Sequence, residues 1–215
     1  MRAWLDRWWS GRGPHAESER WLVLDVETTG LDAQNDQMLA IAAMAVRVDW
    51  RARRIALQPG DSLAVNLRPT RVSDKANILV HGIGVGAQRQ GLDPAGAMQA
   101  FEQWAQGAHL VAFHASFDRA LLQRYAREHL GRPLKHEWLD IAHLCRVSHP
   151  QVKARALDDW LTHFNIACVA RHEANADVMA ECDLLQRIWP QVARECGSWR
   201  AVLRYAGRQA WLGPR

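Results

Sequence analysis

Three short clusters in this chain carry residue types and spacings that metal or acid–base chemistry needs. The first is Asp25-Val26-Glu27-Thr28-Thr29-Gly30. Side chains alternate across a strand, so Asp25 and Glu27 point to one face and Val26 to the other. Two carboxylates on one face of an apolar strand repel each other unless a cation lies between them, and hard oxygen ligands of this kind suit magnesium or manganese. A strand end entering a turn also carries exposed acids for no chemical reason, so the pair alone leaves both readings open. The second cluster is Val111-Ala112-Phe113-His114-Ala115-Ser116-Phe117-Asp118, where a strand runs into a helix capped by Ser116 and Asp118 falls in its first turn. The helix dipole favours an acid there by a few tenths to about 1 kcal/mol, which is a sufficient structural reason by itself. The third is Arg171-His172-Glu173-Ala174-Asn175-Ala176-Asp177. Five helical residues turn by about 500°, about 140° net, so His172 and Asp177 cannot share one helix face. They reach a common site only if His172 lies on a loop and Asp177 on the helix behind it. Otherwise a surface or hydrogen-bonded histidine is the ordinary reading of His172.

The elements that must position these clusters read first as β, then as mixed. Apolar runs at 21–26, 38–48 and 63–67, the last stopped by Pro69, suggest an opening three-stranded meander. Asp93-Pro94 is a cap followed by proline at the first helical position and opens a helix to about Gln106. Residues 109–114 read as a buried strand. The helix from Ser116 ends at Gly131, and further helices follow at 157–164 and 174–189. Strands followed by alternating strand and helix argue for an α/β fold with a mixed central β-sheet flanked by helices. Gly11-Arg12-Gly13-Pro14 sets residues 1–20 apart as an extension in which Trp4, Leu5, Trp8 and Trp9 share one helical stripe. The expected division is a 1–20 extension, a 21–190 domain and a 191–215 helical tail carrying Trp199, Leu203 and Trp211 among arginines. Docking of the Trp-rich ends on the domain, on a protein partner or on a second copy is expected, with a membrane surface as the alternative.

The 215 residues suit one domain with extensions, and no apolar run is long enough to span a bilayer. The first residues lack a secretory signal, so a cytoplasmic location is expected. Cys145, Cys168, Cys182 and Cys196 form no CxxC pair, and reduced thiols are expected. The net charge is +4, and 24 of the 27 basic residues are arginine, the side chain that grips phosphate in two places. That permits a nucleic-acid partner, although genome base composition produces the same surplus.

Taken in order, the three clusters resemble the motifs of the DEDDh 3′-to-5′ exonucleases, the family that includes the proofreading epsilon subunit of bacterial DNA polymerase III. The family's D-x-E-T-T-G is matched by Asp25 to Gly30, its F-D by Phe117-Asp118 and its H-x-x-x-x-D by His172 and Asp177. Val80-His81-Gly82-Ile83, Leu139-Asp140 and the segment 157–161 are similar to intermediate landmarks, so the likeness runs from about Trp21 to Leu185. Two positions depart from the pattern: Phe113-His114-Ala115 stands where H-N-A is frequent, and Val178 where a small residue follows the last aspartate. The resemblance implies a ribonuclease-H-like fold. It implies that Asp25, Glu27, Asp118 and Asp177 hold two Mg2+ or Mn2+ ions, and that His172 takes the proton of the attacking water. It implies that Thr28, Leu31, His81 and Phe117 hold the terminal nucleotide of a single-stranded or frayed 3′ end of DNA, with release of nucleoside 5′-monophosphates. RNA ends are the alternative substrate, since no motif senses a 2′-hydroxyl. A non-catalytic polymerase-associated module is the alternative of a different class, and it would be marked by a lost ligand.

Overall fold

In the computed structural model, which describes residues 18–211, three long strands form the expected meander. They are β1 (Ser18–Thr28), β2 (Met38–Asp49) and β3 (Arg54–Asn66), all antiparallel neighbours. Two short strands, β4 (His109–Ala112) and β5 (Trp138–Asp140), add parallel to β1 and to each other, giving the order β3-β2-β1-β4-β5. The connections carry α1 (Lys75–His81), α2 (Val85–Gln90), α3 (Pro94–Ala105) and α4 (Ser116–Leu130). After β5 come α5 (Ile141–Ser148), α6 (Leu157–His163), α7 (Ala174–Glu195), α8 (Trp199–Gly207) and a 3-10 turn at Arg208–Trp211.

Both faces of the sheet are covered, which is why β1 and β2 read as nearly continuous apolar runs. Strand alternation divides them cleanly. Trp21 and Val23 of β1 join the core built with α5 to α8, whereas Leu22, Leu24 and Val26 join the core built with α3 and α4. Asp25 and Glu27 continue the first set, so they face α7 at the end of β1. Strand β3 begins earlier than residue 63, at Arg54. It is an edge strand, where one exposed face and a register irregularity opposite Met44/Ala45 accommodate Pro59 and Gly60 that a central strand would reject.

The expected boundary after residue 190 falls inside α7, which continues through Pro190 to Glu195. Pro190 lacks an N–H and leaves the Gln186 carbonyl unpaired, but both residues are exposed, so water can serve that carbonyl. Meanwhile Trp189, Val192 and Ala193 remain buried and hold the helix to the sheet. Trp199 of α8 is also taken up by this domain's own core. Its ring meets Trp21 at 4.8 Å, stacks on His109 at 3.9 Å, and is 3% exposed. The first part of the expected tail is therefore structural. The stripe of Trp4, Leu5, Trp8 and Trp9 lies outside the described residues. Helix α4 starts one residue earlier than a Ser116 cap requires: Ala115 is the cap residue and gives no side-chain bond. All four cysteines are free thiols, and no helix among the described residues is long and apolar enough to cross a membrane.

Candidate active site

The first cluster sits where β1 leaves the sheet. Asp25, Glu27 and, from the first turn of α7, Asp177 each bring a carboxylate oxygen within 4.8 Å of the other two. A single divalent cation at ordinary ligand distances of about 2.0–2.6 Å fits among three such oxygens, and carboxylates are the donors that hard divalent cations take. The donor set therefore fits the ions that the motifs imply.

Asp118 lies beside this trio rather than in it. Asp118 is 5% exposed, and the main-chain N–H groups of Asp118 itself and of Val26 partly counter the rise that burial imposes on its carboxyl. Its charge still reaches Asp25. Burial, followed by the charges of Asp118, Glu27 and Asp177, holds the Asp25 carboxyl well above the usual carboxylate range. Glu27 is pushed up to about 8 by burial and then by Asp177, and Asp118 to about 7, mainly by burial. A pocket that resists ionisation this strongly is one that welcomes positive charge.

Part of that charge is already supplied by the protein. Arg171 bridges Asp158 on α6 and Asp177 on α7, and its guanidinium lowers both Asp25 and Glu27. Its neighbour His172 has the geometry the spacing requires: it sits on the loop before α7, exposed, with its main-chain N–H donated to Asp177 Oδ2 at 3.0 Å. The loop bends sharply here, and His172 adopts a left-handed φ of 64°. His114 does the same at φ 57°. Histidine shares with asparagine an enrichment in that region, which explains how it serves in place of the frequent asparagine.

The four residues expected at the terminal nucleotide are placed differently from one another. Leu31 is 93% exposed at the tip of the β1–β2 loop. That tip is well supported: Thr29 and Asp36 bond each other across the loop at 3.0 Å, and Arg124 of α4 donates to the Ala33 and Asp36 carbonyls. A Cβ at Gly30 would sit 2.5 Å from Asp36 Oδ2, so a larger residue there would displace the carboxylate that holds Thr29 and the Asp32 N–H. Thr28 donates its hydroxyl to the Gly30 carbonyl, and Phe117 packs partly against the α3/α4 core. His81 is buried at the end of α1. It is 2% exposed, its Nδ1 accepts from the Ile83 N–H at 2.9 Å, and its Nε2 is paired with Asn77 Oδ1 at 2.8 Å. Asn77 in turn donates to the Thr28 carbonyl at 3.2 Å, so His81 fastens α1 to β1.

Glu181 joins the cluster although no motif points to it. It stands one helical turn after Asp177 on α7, 2% exposed, and accepts the Phe113 N–H at 3.1 Å. Burial, with the charges of Asp25 and Asp118, drives its carboxyl well up. Its one signal in the sequence is an acid four residues after Asp177, which puts both on one helix face. Val178 is buried behind the site at 2% exposure.

A family model described as an exonuclease, RNase_T, matches residues 22–185 and so takes in β1, α4 and the first half of α7. The chain belongs to this exonuclease family. A DNA polymerase III subunit epsilon-like protein of Rhodobacter capsulatus is 33% identical over 188 residues, covering 85% of this chain and 25% of the relative. A PolC-type DNA polymerase III of Lacticaseibacillus paracasei is 28% identical over 187 residues, covering 84% of this chain and 12% of that protein. The chain thus spans a quarter or less of these curated relatives. Among solved structures, E. coli exonuclease I in complex with a dA16 oligonucleotide superposes with a TM-score of 0.65 at 14% identity, over 82% of this chain and 43% of that one. At that identity the likeness is one of fold, and it is the ribonuclease-H-like fold. The family resemblance drawn from the motifs is borne out, and the family is one of nucleases.

Proposed function

We propose that the chain is a divalent-cation-dependent 3′-to-5′ exonuclease of DNA that takes single-stranded or frayed 3′ ends. The observation that carries this reading is the meeting of Asp25, Glu27 and Asp177 with ligand oxygens within 4.8 Å of one another, with buried Asp118 beside them, in a member of an exonuclease family. The choice of DNA is supported by the relatives that are DNA polymerase III proteins and by the oligonucleotide complex of exonuclease I.

Asp25, Glu27 and Asp177 would hold one cation, and Asp25 with Asp118 a second, so that about four negative charges are balanced by about four positive ones. Bound there, the cations supply charge neutralisation for the phosphodiester and polarise it toward attack. The ring of His172, on its exposed loop, accepts the proton of the attacking water, the general-base role for which imidazole is the commonest side chain. The new bond joins water oxygen to phosphorus, the bond to the 3′ oxygen breaks, and that oxygen takes a proton from solvent. The products are a nucleoside 5′-monophosphate and a strand shortened by one. Leu31 and Phe117 offer apolar surface to the last base, which makes the grip independent of sequence. His81 acts at one remove, by holding Asn77 against the Thr28 carbonyl.

The test is digestion of end-labelled single-stranded DNA, duplex DNA and RNA side by side, with magnesium and with excess chelator. Mononucleotides released from the 3′ end of DNA, dependent on magnesium, are expected. Faster digestion of RNA would move the reading to an exoribonuclease, and undiminished digestion in chelator would overturn the metal-dependent mechanism.

A further inference from the structure

A groove of about 1080 Å³ runs from His114 along α5 and under the irregular segment 150–156 to the start of α6. It exceeds the range of about 300–1,000 Å³ that small-ligand sites occupy. Its charge is lopsided. Among the described residues Arg146, Lys153 and Arg155 line it, with Asp159 as the one carboxylate. Asp159 is already engaged, accepting the Arg155 and Ala156 main-chain N–H groups at 3.0 and 3.1 Å. The floor is small and apolar, formed by residues such as Ala142, Val152 and Ala154.

The position of the groove gives this lining a meaning. His114 forms its near end and follows Phe113, whose N–H is bonded to Glu181 in the acid cluster. Phe117 lies on the other side, packed with the α3/α4 core, and the loop that carries Leu31 is held by Arg124 of α4, whereas Ala154 and Trp160 of the groove belong to the α5–α8 core. The acids stand between the two, at the end of β1. A strand whose last nucleotide rests on Leu31 and Phe117 and whose scissile phosphate is at the acids therefore leaves toward His114. There the lining changes from carboxylate to cationic, the complement of consecutive phosphates.

We propose that this groove carries the 5′ continuation of the substrate strand, with Lys153 and Arg155 contacting its phosphates and the apolar floor receiving sugars and bases without reading them. The proposal rests on the exonuclease reading above and extends it from the terminal nucleotide to the strand behind it. Both residues are exposed, so charge reversal leaves the fold intact.

The experiment compares Lys153→Glu and Lys153→Glu/Arg155→Glu with the unaltered protein on two substrates. One is the p-nitrophenyl ester of thymidine 5′-monophosphate, which reaches only the acids; the other is a single-stranded 20-mer. The ratio of kcat/KM for the 20-mer to that for the ester should fall at least tenfold in the double variant, through KM. The salt dependence of kcat/KM on the 20-mer should flatten by about 0.7 in logarithmic slope for each phosphate that is no longer neutralised. Arg119→Glu/Arg127→Glu, an equal charge change on α4, should leave the ratio within about twofold. An unchanged ratio in the groove variant, or an equal fall in the α4 control, would overturn the proposal. Fluorescence anisotropy of a labelled 20-mer in calcium is the second arm. If the unaltered protein hydrolyses neither substrate, the exonuclease reading fails, while weaker 20-mer binding by the groove variant alone still upholds the groove and equal binding by all three rejects it.

Discussion

The crowding of carboxylates at the end of β1 makes the metal-free protein sensitive to pH in a direction opposite to that of most ion-paired proteins. Glu27 titrates at about 8 in the fold against an ordinary 4.5. The folded state therefore holds this proton more tightly than the unfolded chain does. The stabilising effect is complete below about pH 4.5 and is lost as pH rises through about 8. Across the window from roughly pH 5.5 to 8.5 the loss from Glu27 alone is about 3 kcal/mol. In a domain of this size that is about 6–12 °C in Tm. Asp118, raised to about 7, acts in the same direction, and because the two share neighbours their effects do not simply add. The acids held low, Asp32, Asp61 and Asp159, act below this window, whereas His81, His109 and His149, held low by burial, add stability as pH rises through 6.5 and so oppose the fall in the lower half of the window only. The assay is thermal melting by circular dichroism in excess chelator at several pH values, repeated with magnesium. Tm should fall with rising pH in chelator, and magnesium should restore it at high pH far more than at low pH. Glu27→Gln should flatten the profile. A metal-free Tm that rises or stays level above about pH 7, where the buried histidines no longer contribute a slope, would refute the reasoning.

Asp25→Asn should lower turnover on single-stranded DNA by several orders of magnitude while raising the metal-free Tm, because it removes a buried carboxylate that Arg171 offsets only in part; near-normal digestion would remove Asp25 from the site. His172→Asn, which tolerates the left-handed backbone, should cut kcat by about 10²–10⁴-fold with manganese binding by calorimetry unchanged, and should abolish the acidic limb of the rate profile; weakened manganese affinity would make His172 a ligand instead. Arg171→Ala should tighten manganese binding in the absence of nucleic acid, since the guanidinium holds the Asp177 oxygen a cation needs, and weaker binding would contradict that. Trp199→Ala should cost about 3–5 kcal/mol in urea unfolding, the range for a buried tryptophan, and a cost below about 1 kcal/mol would show α8 to be dispensable.

The parts of the site legible in the sequence are those that obey a local period. Alternation along β1 puts Asp25 and Glu27 on one face, and the 140° mismatch over five helical residues puts His172 on a loop if it is to share a site with Asp177. What local period does not supply is contact across elements. Glu181 is an ordinary helical glutamate until α7 is laid against β1 and the Phe113 N–H arrives beside it. His81 has a motif's appearance, yet its use is decided by Asn77 and Ile83, which occupy both ring nitrogens. Pro190 reads as a terminator because proline usually is one; the burial of Trp189, Val192 and Ala193 outweighs one missing hydrogen bond. The short helices α1 and α2 are below the length at which a hydrophobic period can be recognised.

Asp25 and Asp177 approach within ligand distance although they are about 150 positions apart in the chain. Contacts of that separation close last, because the longest loop entropy must be met before they return anything. A ribosome has to deliver almost the whole domain before the third carboxylate exists, and α7 has to settle on the sheet before it meets the other two. Nascent, clipped or half-folded copies of this chain are consequently unable to assemble the acid trio. For an enzyme that degrades nucleic acid, hydrolytic competence becomes a certificate of completed folding.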